Sequence, residues 1–172
     1  MMHYFKVKNS HQLLLRNLLI LLISISILFG KDSPEAIEIM KYYDGDTVKI
    51  KDGVYEYKLR LTDIDAPERN QEYGIRSRRA LMQFCENTQV QVYLYGVDSY
   101  KRKLGKLHCN NQEANQWMVE NGHAWFNKRF SMNYTLDIAQ QNAKQEKLGL
   151  WQSEHAQPPW QWRKIHPRNA LK

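Results

Sequence analysis

Residues 42–68 read YYDGDTVKIKDGVYEYKLRLTDIDAPE, and this stretch decides the fold. Val48 and Ile50 alternate with Lys49 and Lys51. Tyr55, Tyr57, Leu59 and Leu61 then alternate with Glu56, Lys58 and Arg60. A period of two marks a strand with one face in a core. Upstream, Ile37 and Ile39 alternate with Glu38 and Met40, so the span from Ala36 to Thr62 reads as three short strands. Asp44-Gly45 and Asp52-Gly53 are the turn dipeptides between them, which makes an antiparallel meander. Pro67 ends the run, because proline has no N–H to give to a ladder.

Downstream the pattern changes. A helix is predicted from about Ile75 to Asn87, with Leu81, Phe84 and Cys85 inward and Arg76, Arg78 and Arg79 mostly outward. Val90, Val92 and Leu94 alternate with Gln91, Tyr93 and Tyr95 as a fourth strand. Leu104 to Cys109 follows as a fifth, ending at Asn110-Asn111. Two further helices are expected, Asn115 to Asn121 closed by Gly122, and Asn133 to Leu148 closed by Gly149, since glycine suits the residue after a helix. The tail from about residue 152 is expected to be irregular. Five strands with interspersed helices fit a small α+β domain, and a barrel would hide the sheet edges.

The N-terminus is of another kind. Lys6, Lys8 and Arg16 precede LLILLISISILF, Leu18 to Phe29, with no acid before Lys31. This is the layout of a secretory leader over residues 1–30, followed by an exported domain over 31–172. A membrane span needs roughly 20 apolar residues, more than lie between Arg16 and Lys31. Gly30 and Leu28 make a poor cleavage site, so an uncleaved anchor through residues 18–29, basic end inside, is the alternative.

Composition excludes more than it asserts. Of the 172 residues, 8 are Gly, 5 Pro and 2 Cys, which removes collagen, disulfide scaffolds and four-cysteine zinc sites. The net charge of +7 comes from 25 Lys+Arg against 18 Asp+Glu. Three of those positive charges lie in the leader, which leaves the exported part 22 against 18, only +4. Charge balance alone is therefore a weak argument for a nucleic-acid partner. Cys85 and Cys109 can pair under oxidising conditions or remain free thiols, because sequence does not give their separation. The histidines show no metal-ligand spacing, and Trp117, Trp125 and Trp151 read as packing aromatics.

Two acidic clusters remain, Asp44-Gly45-Asp46-Thr47 and Asp63-Ile64-Asp65-Ala66-Pro67-Glu68. Either alone is a turn with solvated carboxylates. Together they sit at the ends of neighbouring strands, where Asp46 and Asp65 can converge as an oxygen site for Ca²⁺ or Mg²⁺ rather than zinc. Arg60 lies on the strand leading to Asp65, opposite in direction to Leu59 and Leu61. A guanidinium beside a carboxylate-bound cation suits a phosphodiester, whose charge both neutralise in the transition state. The loop Asp98-Ser99-Tyr100-Lys101-Arg102-Lys103 offers further donors and one aromatic.

These motifs, DGDTV at 44–48, R-x4-D-x-P-E at 60–68, Tyr73-Gly74, D-x-Y-x-R at 98–102, Asn115 and EKLGLW at 146–151, resemble the staphylococcal nuclease (thermonuclease) family. Pro158-Pro159-Trp160-Gln161-Trp162-Arg163 is similar to a tail seen in many members. The resemblance covers about Ile37 to Arg163. It implies an OB-fold, a five-stranded β-barrel with three α-helices, and Ca²⁺-dependent hydrolysis of DNA and RNA leaving 3′-phosphate ends. It also implies that Asp46, Asp65 and the Ala66 carbonyl bind Ca²⁺. Arg60 and Arg102 would then hold the scissile phosphate, Glu68 would orient or deprotonate the attacking water, and Tyr100 would contact a substrate phosphate. The expected partners are DNA and RNA, preferably single-stranded, met by a monomer. This chain departs from the family in having Ala66 for threonine, Ser99 where lysine occurs, Lys101 where glycine is usual, and Asn127 to Phe130 in place of the tyrosines flanking the base pocket. Ala66 should weaken a phosphate contact, and the others should alter affinity and base preference. The alternatives are a non-catalytic OB module and a membrane-tethered DNA-capture protein. The joint presence of Asp46, Asp65, Glu68, Arg60 and Arg102 favours the enzyme.

Overall fold

In a computed structural model the described residues are 36–167. The expected leader over 1–30, its anchor alternative and its boundary at Lys31 lie outside them. Five long strands carry the sheet: β1 (Glu38–Tyr42), β2 (Thr47–Asp52), β3 (Tyr55–Leu61), β5 (Val90–Val97) and β6 (Lys103–Cys109). Three two-residue strands accompany them, β4 (Ile64–Asp65), β7 (Gln112–Glu113) and β8 (Trp125–Phe126). The helices are α1 (Gly74–Cys85), α2 (Ala114–Glu120), α3 (Tyr134–Gln145) and α4 (Pro159–Ile165), with a 3₁₀ turn at Gly149–Gln152.

The three-strand meander forms as its alternation predicts, with Val48↔Leu59 and Ile50↔Tyr57 in register between β2 and β3. The spatial order is β1-β2-β3-β6-β5, with β7 paired to β6. Among the described residues only β3·β6 is parallel, with Arg60 opposite Leu104, since the long excursion through α1 and β5 reverses the chain before it returns. Hydrogen-bond pairing is open between β1 and β5, as in a partly open Greek-key OB barrel. A second small ladder joins β4 to β8, with Asp65 opposite Trp125. The fold is α+β.

One hydrophobic core lies behind this sheet. Val48, Ile50, Leu59, Leu61, Leu81, Leu107, Met118 and Val119 are completely buried, joined by Ile64, Phe126 and Leu136. Each such aliphatic side chain contributes about 2 kcal/mol of burial. Asn115, also fully buried, ties the sheet to α2. Its Oδ1 accepts from Leu107 N at 3.2 Å, and its Nδ2 donates to Thr62 O at 2.9 Å and Gly105 O at 3.4 Å. Cys85 at the end of α1 and Cys109 at the end of β6 form a disulfide, with Cα atoms 5.1 Å apart.

The expected helices begin and end close to their sequence signals. Asn133 caps α3, its side chain accepting from Thr135 N and Leu136 N. The expected closure after Leu148 by Gly149 is corrected: the helix ends at Gln145, and Lys147, at φ 51°, takes the left-handed position after the cap. The expectation of three helices and an irregular tail is corrected by α4. Pro159 stands at its first turn, where a fixed φ and a missing N–H cost nothing. Its remaining support is tertiary, including an edge-to-face contact of Trp160 on Trp125 at 5.5 Å. No helix among the described residues is long and apolar enough to cross a membrane.

Candidate active site

The two acidic clusters meet where β2 begins and β3 turns into β4. Asp44 and Asp46 flank Gly45, whose lack of a side chain lets this turn press on α1. A Cβ there would stand 1.9 Å from Ser77 Oγ and 2.9 Å from the Ala66 Cβ. Asp46 N donates to Asp44 Oδ1 at 3.0 Å, which sets the turn. Across the gap, Ala66 N donates to Asp46 Oδ2 at 2.7 Å, and Thr47 Oγ1 donates to Asp46 Oδ1 at 2.9 Å. Asp46 is 4% and Asp65 2% exposed, so two carboxylates are held side by side out of water.

Arg60 joins them. It pairs with Thr47 across the β2·β3 ladder, which aims its side chain at the turn. Its Nε lies 3.1 Å from Asp46 Oδ1 and its Nη2 3.3 Å from Asp65 Oδ1, and Nη1 donates to Leu61 O. Nη1 and Nη2 each donate one hydrogen bond, and Nε adds an ion pair to Asp46.

The electrostatics follow from burying acids together. Desolvation, with the Asp46 charge second, pushes the Asp44 carboxyl up to about 8. Burial also raises the Asp65 pKa, against a hydrogen bond from Arg163 and the charges of Arg60 and Arg163. An excess of buried carboxylate is a demand for positive charge. Two arginines meet part of it here, and a divalent cation suits the rest. The donors are all oxygen, and no group of three or more His, Cys, Asp or Glu side chains among the described residues is arranged to hold a metal. Carboxylate oxygens are the donors a hard cation such as Ca²⁺ takes, whereas zinc takes nitrogen and sulfur.

Glu68 lies three residues beyond Asp65, past Pro67, with its backbone N–H on Gln71 Oε1 at 3.1 Å. Its side chain joins the cluster through a residue that sequence reasoning did not single out. Arg163 of α4 donates from Nη1 to both Asp65 Oδ1 and Glu68 Oε1, each at 3.0 Å, and from Nη2 to Asp65 Oδ2 at 2.6 Å. The fork on Asp65 raises the arginine's own pKa. The signal in the sequence was the PPWQWR run, yet nothing local tied its arginine to residues 95 and 98 positions away.

Arg102 and Tyr100 stand apart from this cluster. Arg102 is folded onto its own loop, with Nε and Nη2 on Asp98 Oδ2 at 2.8 and 2.7 Å and its backbone N–H on Asp98 Oδ1. Arg102 precedes Lys103, which pairs with Leu59 in the parallel β3·β6 ladder, so its loop leads directly into the strand beside β3. Tyr100 is 71% exposed, and its ring lies 5.5 Å from the Arg102 guanidinium. Lys101 between them takes φ 62°, the left-handed region that glycine occupies without strain. The structure thus brings Asp46, Asp65, Ala66, Arg60 and Glu68 together. Arg102 and Tyr100 occupy an adjacent, exposed loop.

Among the described residues, His123, Trp117, Trp125 and Trp151 pack against other rings, while His155 and His166 lie at the surface. Tyr73 Oη lies 2.9 Å from His123 Nδ1, Trp117 stacks on Phe84 at 4.4 Å, and Trp125 meets Trp151 at 4.3 Å.

Comparison with known proteins gives one consistent result. A family model described as staphylococcal nuclease homologue matches residues 58–153. The chain is 34% identical over 126 residues to an "Uncharacterized endonuclease" of Escherichia coli O157:H7, covering 73% of this chain and 82% of that protein. It is 33% identical over 138 residues to a "Micrococcal nuclease" of Shigella flexneri, covering 74% and 79%. It is also 36% identical over 115 residues to a "Probable staphylococcal-like nuclease CAN3" of Oryza sativa subsp. japonica, where it covers 67% of this chain and 30% of the longer plant protein.

Proposed function

Because the chain belongs to the staphylococcal nuclease family, and so to the nuclease class of hydrolases, we propose that it is an exported, Ca²⁺-dependent endonuclease of DNA and RNA. It would cut with little sequence specificity, leave 3′-phosphate ends, and act as a monomer on single-stranded or locally unpaired substrate. The observation that carries this reading is Arg60 lying between two buried carboxylates, 3.1 Å from one and 3.3 Å from the other, with Glu68 in the same cluster.

Each residue then has a role. Asp46, Asp65 and the Ala66 carbonyl would hold the cation, which when bound draws charge from the phosphate oxygens. Arg60, held by its hydrogen bond to Leu61 O and its ion pairs with Asp46 and Asp65, would exchange carboxylate contacts for the same phosphate once the cation takes those carboxylates. Glu68 would accept a proton as a water oxygen forms its bond to phosphorus. The bond from phosphorus to the 5′-oxygen would then break, that oxygen would take a proton from solvent water to leave as the 5′-hydroxyl, and the phosphate would stay on the 3′ side. Arg102 would add a second guanidinium after exchanging Asp98 for phosphate, and Tyr100 would contact a flanking phosphate. Single strands suit such a site because the backbone must bend toward the buried carboxylates.

The Cys85–Cys109 bridge supports an oxidising compartment and hence export. Fractionation of the full-length chain distinguishes the two forms of that proposal. A soluble species beginning near Lys31 supports cleavage, and a full-length species in the membrane fraction supports an anchor. The activity test is digestion of single-stranded DNA and RNA in Ca²⁺, Mg²⁺ or chelator, beside Arg60→Ala, Arg102→Ala and Glu68→Gln. Loss of several orders of magnitude in each variant, and of all activity on chelation, is expected. Digestion that survives chelator, or near-normal rates in all three variants, overturns the mechanism.

A further inference from the structure

The contact between α4 and the acidic cluster does more than fasten the tail. A carboxylate offers about four lone-pair sites, and on Asp65 Arg163 takes one on each oxygen while Arg60 takes another on Oδ1. The same Arg163 Nη1 reaches Glu68 Oε1 at 3.0 Å. A guanidinium in this fork lies in the plane and on the side from which Asp65 would offer both oxygens to a cation. Like charges repel strongly across a few ångströms in a buried site, so a divalent ion and Arg163 do not share Asp65 on equal terms.

The rest of α4 is lightly held. Of its seven residues only Pro159 is buried, and Ile165 is 65% exposed. The preceding segment is pinned by Gln71 Nε2 donating to Gln157 O at 2.6 Å. Below the helix runs a cleft of about 600 Å³ lined by Pro67, Gln71, Tyr73, Arg76 and Trp162. The helix is held by the buried Pro159, the contact of Trp160 on Trp125 and the charge pairing of Arg163 at the acidic cluster.

We propose that Arg163 is a built-in counter-cation of the metal site. It neutralises Asp65 and Glu68 while α4 is docked, and the divalent ion displaces it, so that metal binding and release of α4 are one equilibrium. This rests on reading Asp46 and Asp65 as cation ligands. Losing hydrogen bonds between charged groups, on the order of 1.5 kcal/mol or more, corresponds to about tenfold in an equilibrium constant.

The test measures Ca²⁺ binding to the whole purified protein by calorimetry, for wild type, Arg163→Gln, Arg163→Lys and Asp65→Asn, with hydrogen–deuterium exchange across residues 159–165. Arg163→Gln should bind Ca²⁺ about tenfold tighter, Arg163→Lys should lie between it and wild type, and Asp65→Asn should bind far more weakly. In wild type, Ca²⁺ should speed exchange in α4 and leave the β2·β3 amides unchanged. Equal Ca²⁺ affinity in wild type and Arg163→Gln, with Asp65→Asn still impaired, overturns the counter-cation alone. Slower exchange in α4 on adding Ca²⁺ does the same. Absence of Ca²⁺ binding in every protein, or wild-type affinity in Asp65→Asn, overturns the metal reading and this inference with it.

Discussion

Reducing the Cys85–Cys109 bridge removes a constraint from the unfolded chain while leaving almost every atom of the folded one in place. The two cysteines are 24 residues apart in sequence and 4% and 1% exposed, at the end of α1 and the end of β6. Closing a loop of that length in the unfolded state is worth about 3.5 kcal/mol at 25 °C. A domain of this size shifts its midpoint by roughly 3–4 °C per kcal/mol, so reduction should lower Tm by about 12 °C. The assay is thermal and urea unfolding of the oxidised protein beside the same protein in reductant, followed by circular dichroism. Mass spectrometry after alkylation without reductant verifies the starting state. The urea m-value should also rise on reduction, because the opened unfolded chain exposes more surface. Midpoints that agree within about 0.5 kcal/mol would refute the entropic argument. Alkylation of both cysteines before reduction would refute the bridge itself.

Three further outcomes follow from single residues. Burial lowers the His123 pKa to about 4, so below its ordinary value of about 6.5 the unfolded histidine takes up a proton that the folded one refuses. Stability should therefore fall between about pH 6.5 and 4, with His123 accounting for about 2 kcal/mol of the loss from pH 7 to 5. His123→Gln should lack that share, and urea midpoints at the two pH values that fall equally in both proteins would contradict it. Asn115→Ala leaves Leu107 N–H and Thr62 C=O without their side-chain partner in a fully buried position, and should cost about 2–4 kcal/mol in denaturant unfolding. A loss under about 0.5 kcal/mol would deny those bonds their role. Lys101→Gly removes a side chain from an exposed residue at φ 62° and should raise stability by about 0.5–1 kcal/mol, less than the full left-handed strain because glycine loses more entropy on folding. A lower midpoint would show that the lysine makes a contact worth more than its strain.

How much of this was legible in the sequence depends on how far each determinant reaches along the chain. β1, β2 and β3 were readable because alternation is a property of neighbouring residues, and a one-residue slip would bury Lys49, Lys58 and Arg60 in place of Val48, Leu59 and Leu61. Asp46, Asp65 and Glu68 were readable as a site because strand ends joined by short turns stay close. The boundaries of α1 and α3 came within a few residues for the same local reasons. Arg102 is legible as a candidate, and the spacing of four residues to Asp98 is a local signal for their ion pair. The helix at Pro159–Ile165 is not legible in the sequence, since seven residues show no apolar period and their support comes from Asp65, Glu68 and Trp125.

Local alternation, turn dipeptides and spaced acids thus determined the α+β class, the meander and the identity of most site residues. The tertiary structure alone decided three things. It brought Cys85 within bonding distance of Cys109 by packing the end of α1 against β6. It buried Asp46 and Asp65 deeply enough to require positive charge from elsewhere. And it supplied part of that charge from Arg163, 98 residues beyond Asp65, because a carboxylate removed from water takes the nearest cation that the folded chain can deliver, whatever its place in the sequence.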